Sequence, residues 1–494
     1  MKYLVTSEEM KTYDNNTIDK IGIPGVVLME RAALAVLTQI EKYYSKAQKD
    51  ARKTRILVLA GMGNNGADGL ALARLLAEKE YSVDVRCVGG EEKASALWKQ
   101  QREILRNYPV KIGTKIQDVE YTILVDALFG VGLSRAVEGE YADAIAAFNQ
   151  KQGYKIAVDV PSGLDTDTGK VLGCVVKADL TVTFGFCKRG LVLYPGCECA
   201  GEVVTADIGI TRQSFFEESP KMFCYDENVK ALMPVRAENG NKGTFGKVLL
   251  VAGSENMAGA AIMAARAAYR AGAGMVKVIT PSENRVIIQE AIPEALLGKE
   301  EELEESLRWA DVVAVGPGIG KSEEAKKCLN DIISKSELPI LIDADGLNLL
   351  AEDGKLQQLL AEKTGDVILT PHVGELARLT GKTVSDVKEK LLFYATELSK
   401  RLQAIVVAKD ARTFVCKEHQ PVCVNIRGNS GMATAGSGDV LAGIIAALLA
   451  QGMCAYEASC VGVYLHACAG DLAAEVLGEH GVMAGDIVEK ISAL

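Results

Sequence analysis

Short, unbroken apolar runs that stop at an acidic or small residue recur along the whole chain, and they permit few folds. Residues 55–60 run into Gly61, while 121–126 and 155–159 each end on an aspartate. Runs at 246–252, 275–280, 311–315, 340–343, 366–370 and 404–409 follow the same pattern. Strands that are apolar on both sides belong in a parallel sheet covered on both faces. Probable crossover helices separate many of them, so the fold class is α/β. At 494 residues the chain exceeds one ordinary core. The first block, 1–212, adds strands at 82–88 and 179–183, with helices at 7–21, after Pro24, and at 70–79, 93–106 and 141–151. It reads as a doubly wound sheet. Residues 213–238, charged and holding Pro220 and Pro234, read as a linker with a short strand near 222–225. The second block, 239–494, carries an alanine-rich helix at 258–271 and a β-hairpin at 412–424.

Bulk properties exclude several roles. A net charge of -10 without a basic stripe argues against a nucleic-acid binder, though local loops can still hold a nucleotide. Residues 1–10 include Glu8 and Glu9 and lack a long apolar core, unlike a secretory leader. The best membrane candidate, 440–456, is interrupted by Gly443, Gln451 and Gly452 and reads as a buried helix. Twelve cysteines without a Cys-x-x-Cys pair, and only four histidines, disfavour zinc. A cytoplasmic protein without membrane or nucleic-acid partners is expected.

The longest small-residue loop is Asn429-Ser430-Gly431-Met432-Ala433-Thr434-Ala435-Gly436-Ser437-Gly438-Asp439, followed directly by an apolar helix. Small residues let a backbone approach a ligand closely, and a helix start offers free N–H groups and a positive dipole end. Asp439 sits there and is expected to stay ionised and accept a proton. A bland helix cap is the simpler explanation of an isolated Gly-Ser-Gly-Asp.

Three strand ends of the first block also converge. Gly61-Met62-Gly63-Asn64-Asn65-Gly66-Ala67-Asp68-Gly69 is expected as a loop, followed by a helix. Asp126 opens a glycine loop through Gly130, Val131, Gly132, Leu133, Ser134, Arg135 and Ala136, and Asp159-Val160-Pro161-Ser162-Gly163 ends the next strand. Ligands of doubly wound sheets bind outside such carboxyl ends. Asn65, Asp126 and Ser162 supply hard oxygens suited to a hard cation.

With these motifs assembled, the Asn-Asn-Gly-x-Asp-Gly loop and Asp-Val-Pro-Ser-Gly resemble the NAD(P)HX epimerase family. The second block resembles the ADP/ATP-dependent NAD(P)HX dehydratase family, of ribokinase-like fold. In order, the two match the bifunctional NAD(P)H-hydrate repair enzymes over nearly the whole chain. The resemblance implies a Rossmann-like domain followed by a ribokinase-like one. The expected substrates are NADHX and NADPHX, with ADP or ATP as phosphoryl donor. It implies Asp159 as the epimerase acid/base and a hydrate site from Asn64 to Asp68 and from Gly130 to Ala136, with Tyr141. Potassium would lie on Asn65, Asp126 and Ser162. In the second block Ala260, Gly318, His372 and Asp439 would contact the hydrate. Lys409, Asp410, Ala411, Arg412, Thr413 and Gly438 would contact the nucleotide, with Mg²⁺. Asn241 stands where family members commonly show histidine, so that histidine's role does not carry over. A homo-oligomer is expected from the same resemblance. The alternative is a hydroxymethylpyrimidine- or sugar-type kinase fused to a nucleotide-binding scaffold; no Walker A pattern is present.

Overall fold

The computed structural model describes residues 1–47 and 54–494. The chain divides into two compact units, Lys2–Lys221 and Met222–Leu494 with Met1. The expected linker is therefore shared between them. Arg212–Phe215 stays with the first unit, where the Phe215 ring lies 4.7 Å from that of Tyr13. Met222–Cys224 is a buried strand of the second unit, parallel to Val422–Asn425. Apolar side chains on either side of residue 221 anchor the chain in two cores, leaving no independent spacer.

The first unit is built on seven parallel strands in the order Lys111–Gly113, Ser82–Cys87, Arg55–Ala60, Ile123–Ala127, Tyr154–Val158, Leu180–Phe184, Glu202–Ala206. The chain starts at Arg55–Ala60, winds outward one way, then returns to Ile123–Ala127 and winds outward the other way. Where the order reverses, the loops after the two strands part and leave a crevice. The helix expected from residue 70 starts instead at Asn64 and runs to Glu78, capped by Gly63. The asparagine–glycine stretch thus forms the first turns of a helix. Low helix propensity at Gly66 is outweighed by packing: a Cβ there would lie 1.9 Å from Gly61 O. The edge strands Lys111–Gly113 and Glu202–Ala206 escape the sequence pattern, as does the parallel pair Lys2–Val5 and Cys187–Lys188.

The second unit orders ten strands as Leu296–Gly298, Met275–Ile279, Lys247–Val251, Val312–Val315, Ile340–Ile342, Val367–Leu369, Ile405–Ala408, Thr413–Cys416, Val422–Asn425, Met222–Cys224. Thr413–Cys416 runs antiparallel to both neighbours, forming the expected hairpin with Val422–Asn425. The apolar helix Ser437–Ala450 is almost wholly buried and crosses Ala258–Arg270 closely, since a Cβ on Gly443 would lie 2.2 Å from Ala264 O. It ends before Gly452, so 440–456 is not one helix. Among the described residues one helix, Ala455–Leu477, is long and apolar enough to cross a membrane by length and composition, and 56% of its apolar window is buried inside the structure.

Candidate active sites

The first unit opens a cleft of about 590 Å³ at its switch point. It brings together Asn64, Asn65, Asp68, Gly130, Val131, Gly132, Leu133, Ser134, Arg135, Tyr141 and Asp159. Gly66 and Ala67 lie behind this lining, packed in the helix, and Ala136 is outside it. The Tyr141 ring rests 4.9 Å from Phe129, which orients it across the mouth. Asp159 follows the strand Tyr154–Val158 in a left-handed conformation, φ 69°, which few residues other than glycine adopt without cost. Its Oδ1 accepts from Lys188 Nζ at 2.5 Å, Thr183 Oγ1 at 3.1 Å and Phe184 N at 3.2 Å. Lys188 is buried, and no periodicity marked it in the sequence. Met62 of the Gly61–Gly69 stretch lines the cleft too, and Lys11, Asp14 and Lys93 join it unannounced. The carboxyls of Asp68 and Asp14 are both pushed up, by burial first and then by the negative charge of Asp159.

Asp126 and Ser162 are fully buried and outside that lining, joined to it where Phe129 N donates to Ser162 Oγ at 2.9 Å. The Ser162 hydroxyl donates to Asp126 Oδ1 and Ser162 N to Oδ2, both at 2.7 Å. Burial pushes Asp126 up to about 6 against those hydrogen bonds. Both polar atoms of the Asn65 carboxamide are buried without a partner among the described residues. An orphaned amide oxygen near a buried carboxylate and hydroxyl fits a hard cation.

In the second unit, three strand ends are sewn together. Gly316 takes φ 126° because a Cβ would lie 1.8 Å from Asp343 O. Thr370 Oγ1 donates to Asp343 Oδ1 at 2.6 Å, and Lys409 Nζ reaches the same oxygen at 2.9 Å. Lys409 N donates to Pro371 O at 2.8 Å, setting His372 beside Lys409. A Cβ on Gly438 would lie 3.3 Å from Lys409 Nζ, so the helix start closes over this pair. Asp439 lies in the first turn of that helix, whose cap is Gly436 rather than Asp439. The expectation that it stays ionised is corrected. Burial, with Asp343 and then Asp345 adding negative charge against the relief from Lys409, pushes it up to about 7.

His372 caps the helix Val373–Thr380 through Nδ1, which accepts from Gly374 N at 2.9 Å, and its pKa is lowered by burial and by Lys409. Glu375, absent from the sequence-derived site, is buried and pushed up to about 7. Its spacing three residues after His372, a capping-box pattern, was the available signal. Gly318, φ 64°, faces Ala260, whose Cβ would be 2.9 Å from one placed on Gly318. Asp410, Ala411 and Arg412 form the turn between strands Ile405–Ala408 and Thr413–Cys416, with Asp410 and Ala411 exposed and outside the carboxylate cluster. Asn241 folds its side chain onto Gly243 N at 2.9 Å, a turn-forming role. A neighbouring cleft of about 480 Å³ is lined by Ser254, Thr280, Arg285 and Ile319 among others; Ala260, Gly318, His372, Lys409 and Asp439 are outside its lining.

The comparisons with known proteins agree with this division. The family described as YjeF-related protein N-terminus matches residues 25–190, and the one described as NAD(P)H-hydrate dehydratase matches 248–493. The bifunctional NAD(P)H-hydrate repair enzyme Nnr of Moorella thermoacetica is 36% identical over 99% of this chain and 95% of its own. That of Coxiella burnetii is 36% identical over 100% and 99%. A solved ribokinase-like superfamily protein from Enterococcus faecalis, 28% identical, covers 55% of this chain and 95% of its own with TM-score 0.50. With both halves matched in order and at full length, the chain belongs to the bifunctional NAD(P)H-hydrate repair enzyme family.

Proposed function

We propose that the two clefts carry out successive steps in the repair of hydrated NADH and NADPH. The protein is an NAD(P)H-hydrate epimerase and dehydratase. The observation that carries the assignment of sites is that each unit gathers its strand-end loops around a lysine–aspartate ion pair, with the candidate acid/base a member of the pair in the first unit and close to it in the second.

In the hydrate, C6 of the nicotinamide ring bears a hydroxyl next to the ring nitrogen, whose lone pair helps that centre open. In the first cleft Asp159 moves the proton that lets C6 invert between R and S. Asn64, Asp68, Tyr141 and the 130–136 loop hold the ring, while Lys11, Lys93 and Arg135 offer positive charge to the diphosphate. Asn65, Asp126 and Ser162 would hold potassium, which supplies a fixed positive charge to the site.

In the second site, Ala260, Gly318 and His372 position the S hydrate, and its dinucleotide tail extends into the neighbouring cleft that holds Arg285. The Lys409–Thr413 segment and Gly438 hold ADP or ATP. Asp439 takes the C6 hydroxyl proton as that oxygen bonds to the terminal phosphorus and the nucleotide's bridging P–O bond breaks. The C6–O bond then breaks, phosphate leaves, and loss of a C5 proton restores the C5=C6 double bond. Loop N–H groups and Lys409 offset the developing charge. Mg²⁺ would arrive on the nucleotide phosphates and lower their charge; among the described residues no cluster of three or more His, Cys, Asp or Glu could hold a metal ion on its own. ADP is the favoured donor, and a cytoplasmic homo-oligomer completes the proposal.

The test is incubation of racemic hydrate with purified protein, with and without ADP or ATP. R/S exchange without nucleotide, by chiral chromatography, and recovery of NADH absorbance only with nucleotide are expected. A stable phosphorylated product without restored NADH would favour a kinase instead.

A further inference from the structure

We infer that Lys188 is a positioning residue of the first site, fixing Asp159 so that one carboxylate oxygen is engaged by the protein and the other is left to the substrate. The role presupposes Asp159 as the acid/base. Lys188 is only 1% exposed. Its three N–H donors meet three acceptors: Asp159 Oδ1 at 2.5 Å, Phe184 O at 2.8 Å and Thr183 Oγ1 at 3.0 Å. An ammonium has three donors, so none remains for a ligand. Thr183 closes the ring by donating to the same Oδ1 at 3.1 Å, and Phe184 N adds a further bond at 3.2 Å.

Every one of the three bonds that Asp159 accepts falls on Oδ1. Oδ2 points the other way, 3.5 Å from where a Cβ on Gly130 would stand, toward the wall that Gly130 and Asn65 give the cleft. The carboxylate therefore cannot rotate without breaking the ring. The fold builds this arrangement on purpose-made backbone. After the strand Leu180–Phe184 the chain turns at Gly185, φ 68°, and Lys188 is held in a two-residue strand whose register pairs it with Val5. The ammonium is thereby folded back onto the strand end it has just left. The charges of Asp159 and Lys188 both act on Asp14. Removing the lysine removes the bond that decides which oxygen faces the hydrate, and misplacement of a reacting group by about 1 Å costs on the order of 100-fold.

The experiment is a double-mutant cycle on R/S exchange by Lys188→Met, Asp159→Asn and the pair together, with the thermal unfolding transition of each variant, followed by circular dichroism, reporting folded protein. Lys188→Met is expected to lower kcat about 100-fold with KM within about threefold, and the pair should be no slower than Asp159→Asn alone. Losses that multiply in the pair, or wild-type kcat in Lys188→Met, overturn the inference. Wild-type exchange in Asp159→Asn instead overturns the acid/base assignment beneath it. If Lys188→Met yields no folded protein, Thr183→Val decides: a roughly tenfold loss of kcat at unchanged KM supports the role, and an unchanged kcat overturns it.

Discussion

Both units place a lysine against an aspartate at a strand end, but they pair it with different members of the site. In the first, Lys188 binds Asp159, the candidate acid/base itself. In the second, Lys409 binds Asp343, and the candidate base Asp439 is left under the field of Asp343 and Asp345. A paired carboxylate is anchored and oriented. An unpaired one among like charges is raised toward neutrality, where it can collect a proton and release it. The same two residue types thus yield a fixed group in one cleft and a tunable one in the other.

The sharpest way to break this contrast is to remove each carboxylate in turn. Asp439→Asn should lower dehydration about 10²–10⁴-fold and leave R/S exchange intact, with Asp159→Asn doing the reverse; NADH absorbance and chiral chromatography read the two. Stability should then separate the sites in opposite directions. Asp159→Asn strands the Lys188 ammonium and should destabilise the first unit by about 3 kcal/mol. Asp439→Asn removes a carboxyl whose folded pKa lies above its unfolded one, so its charge opposes folding as pH rises past the unfolded value. At pH 8 that substitution should raise the melting temperature, by roughly 1–3 kcal/mol in stability. Equal shifts of the same sign in both variants would remove the distinction.

pH profiles sharpen it further. If Asp439 must be ionised to act, dehydration should rise about tenfold per pH unit up to about 7 and level above it. Asp343→Asn removes the neighbouring negative charge and frees Lys409, so the limb should move to lower pH; a limb that stays put would show that Asp343 does not set it. The smallest expected effect is at Gly318. Alanine there would meet Ala260 and require φ 64°, at about 1 kcal/mol of strain, raising KM for the hydrate several-fold with little change in kcat.

Much of this was readable in the chain. Strand ends at Ala60, Asp126, Asp159, Gly316, Asp343 and Thr370 fall within a residue or so of where the apolar runs stop, and those ends position both clefts. What escaped the pattern depends on contacts distant in sequence. Asn64 to Gly69 looks like a loop because asparagine and glycine favour turns, yet the helix begins there, because Gly66 fits against Gly61 only without a Cβ. Lys11 and Asp14 belong to the opening helix and carry no local sign that it borders a cleft built by strands much later in the chain. At Asp439 the helix start is the local sign; the burial and the Asp343 charge that raise its carboxyl come from elements far away in sequence.

The alternation of apolar runs with helices determined by itself that this chain builds largely parallel sheets, and it pointed to the carboxyl ends of their strands as the place for candidate sites. Periodicity and loop composition are local properties, so one sequence suffices to expose them. Which aspartate each lysine neutralises was settled only in three dimensions. Lys188 lies 29 residues from Asp159 and Lys409 lies 66 from Asp343. A charge's effect depends on distance and burial, which only the packed structure sets.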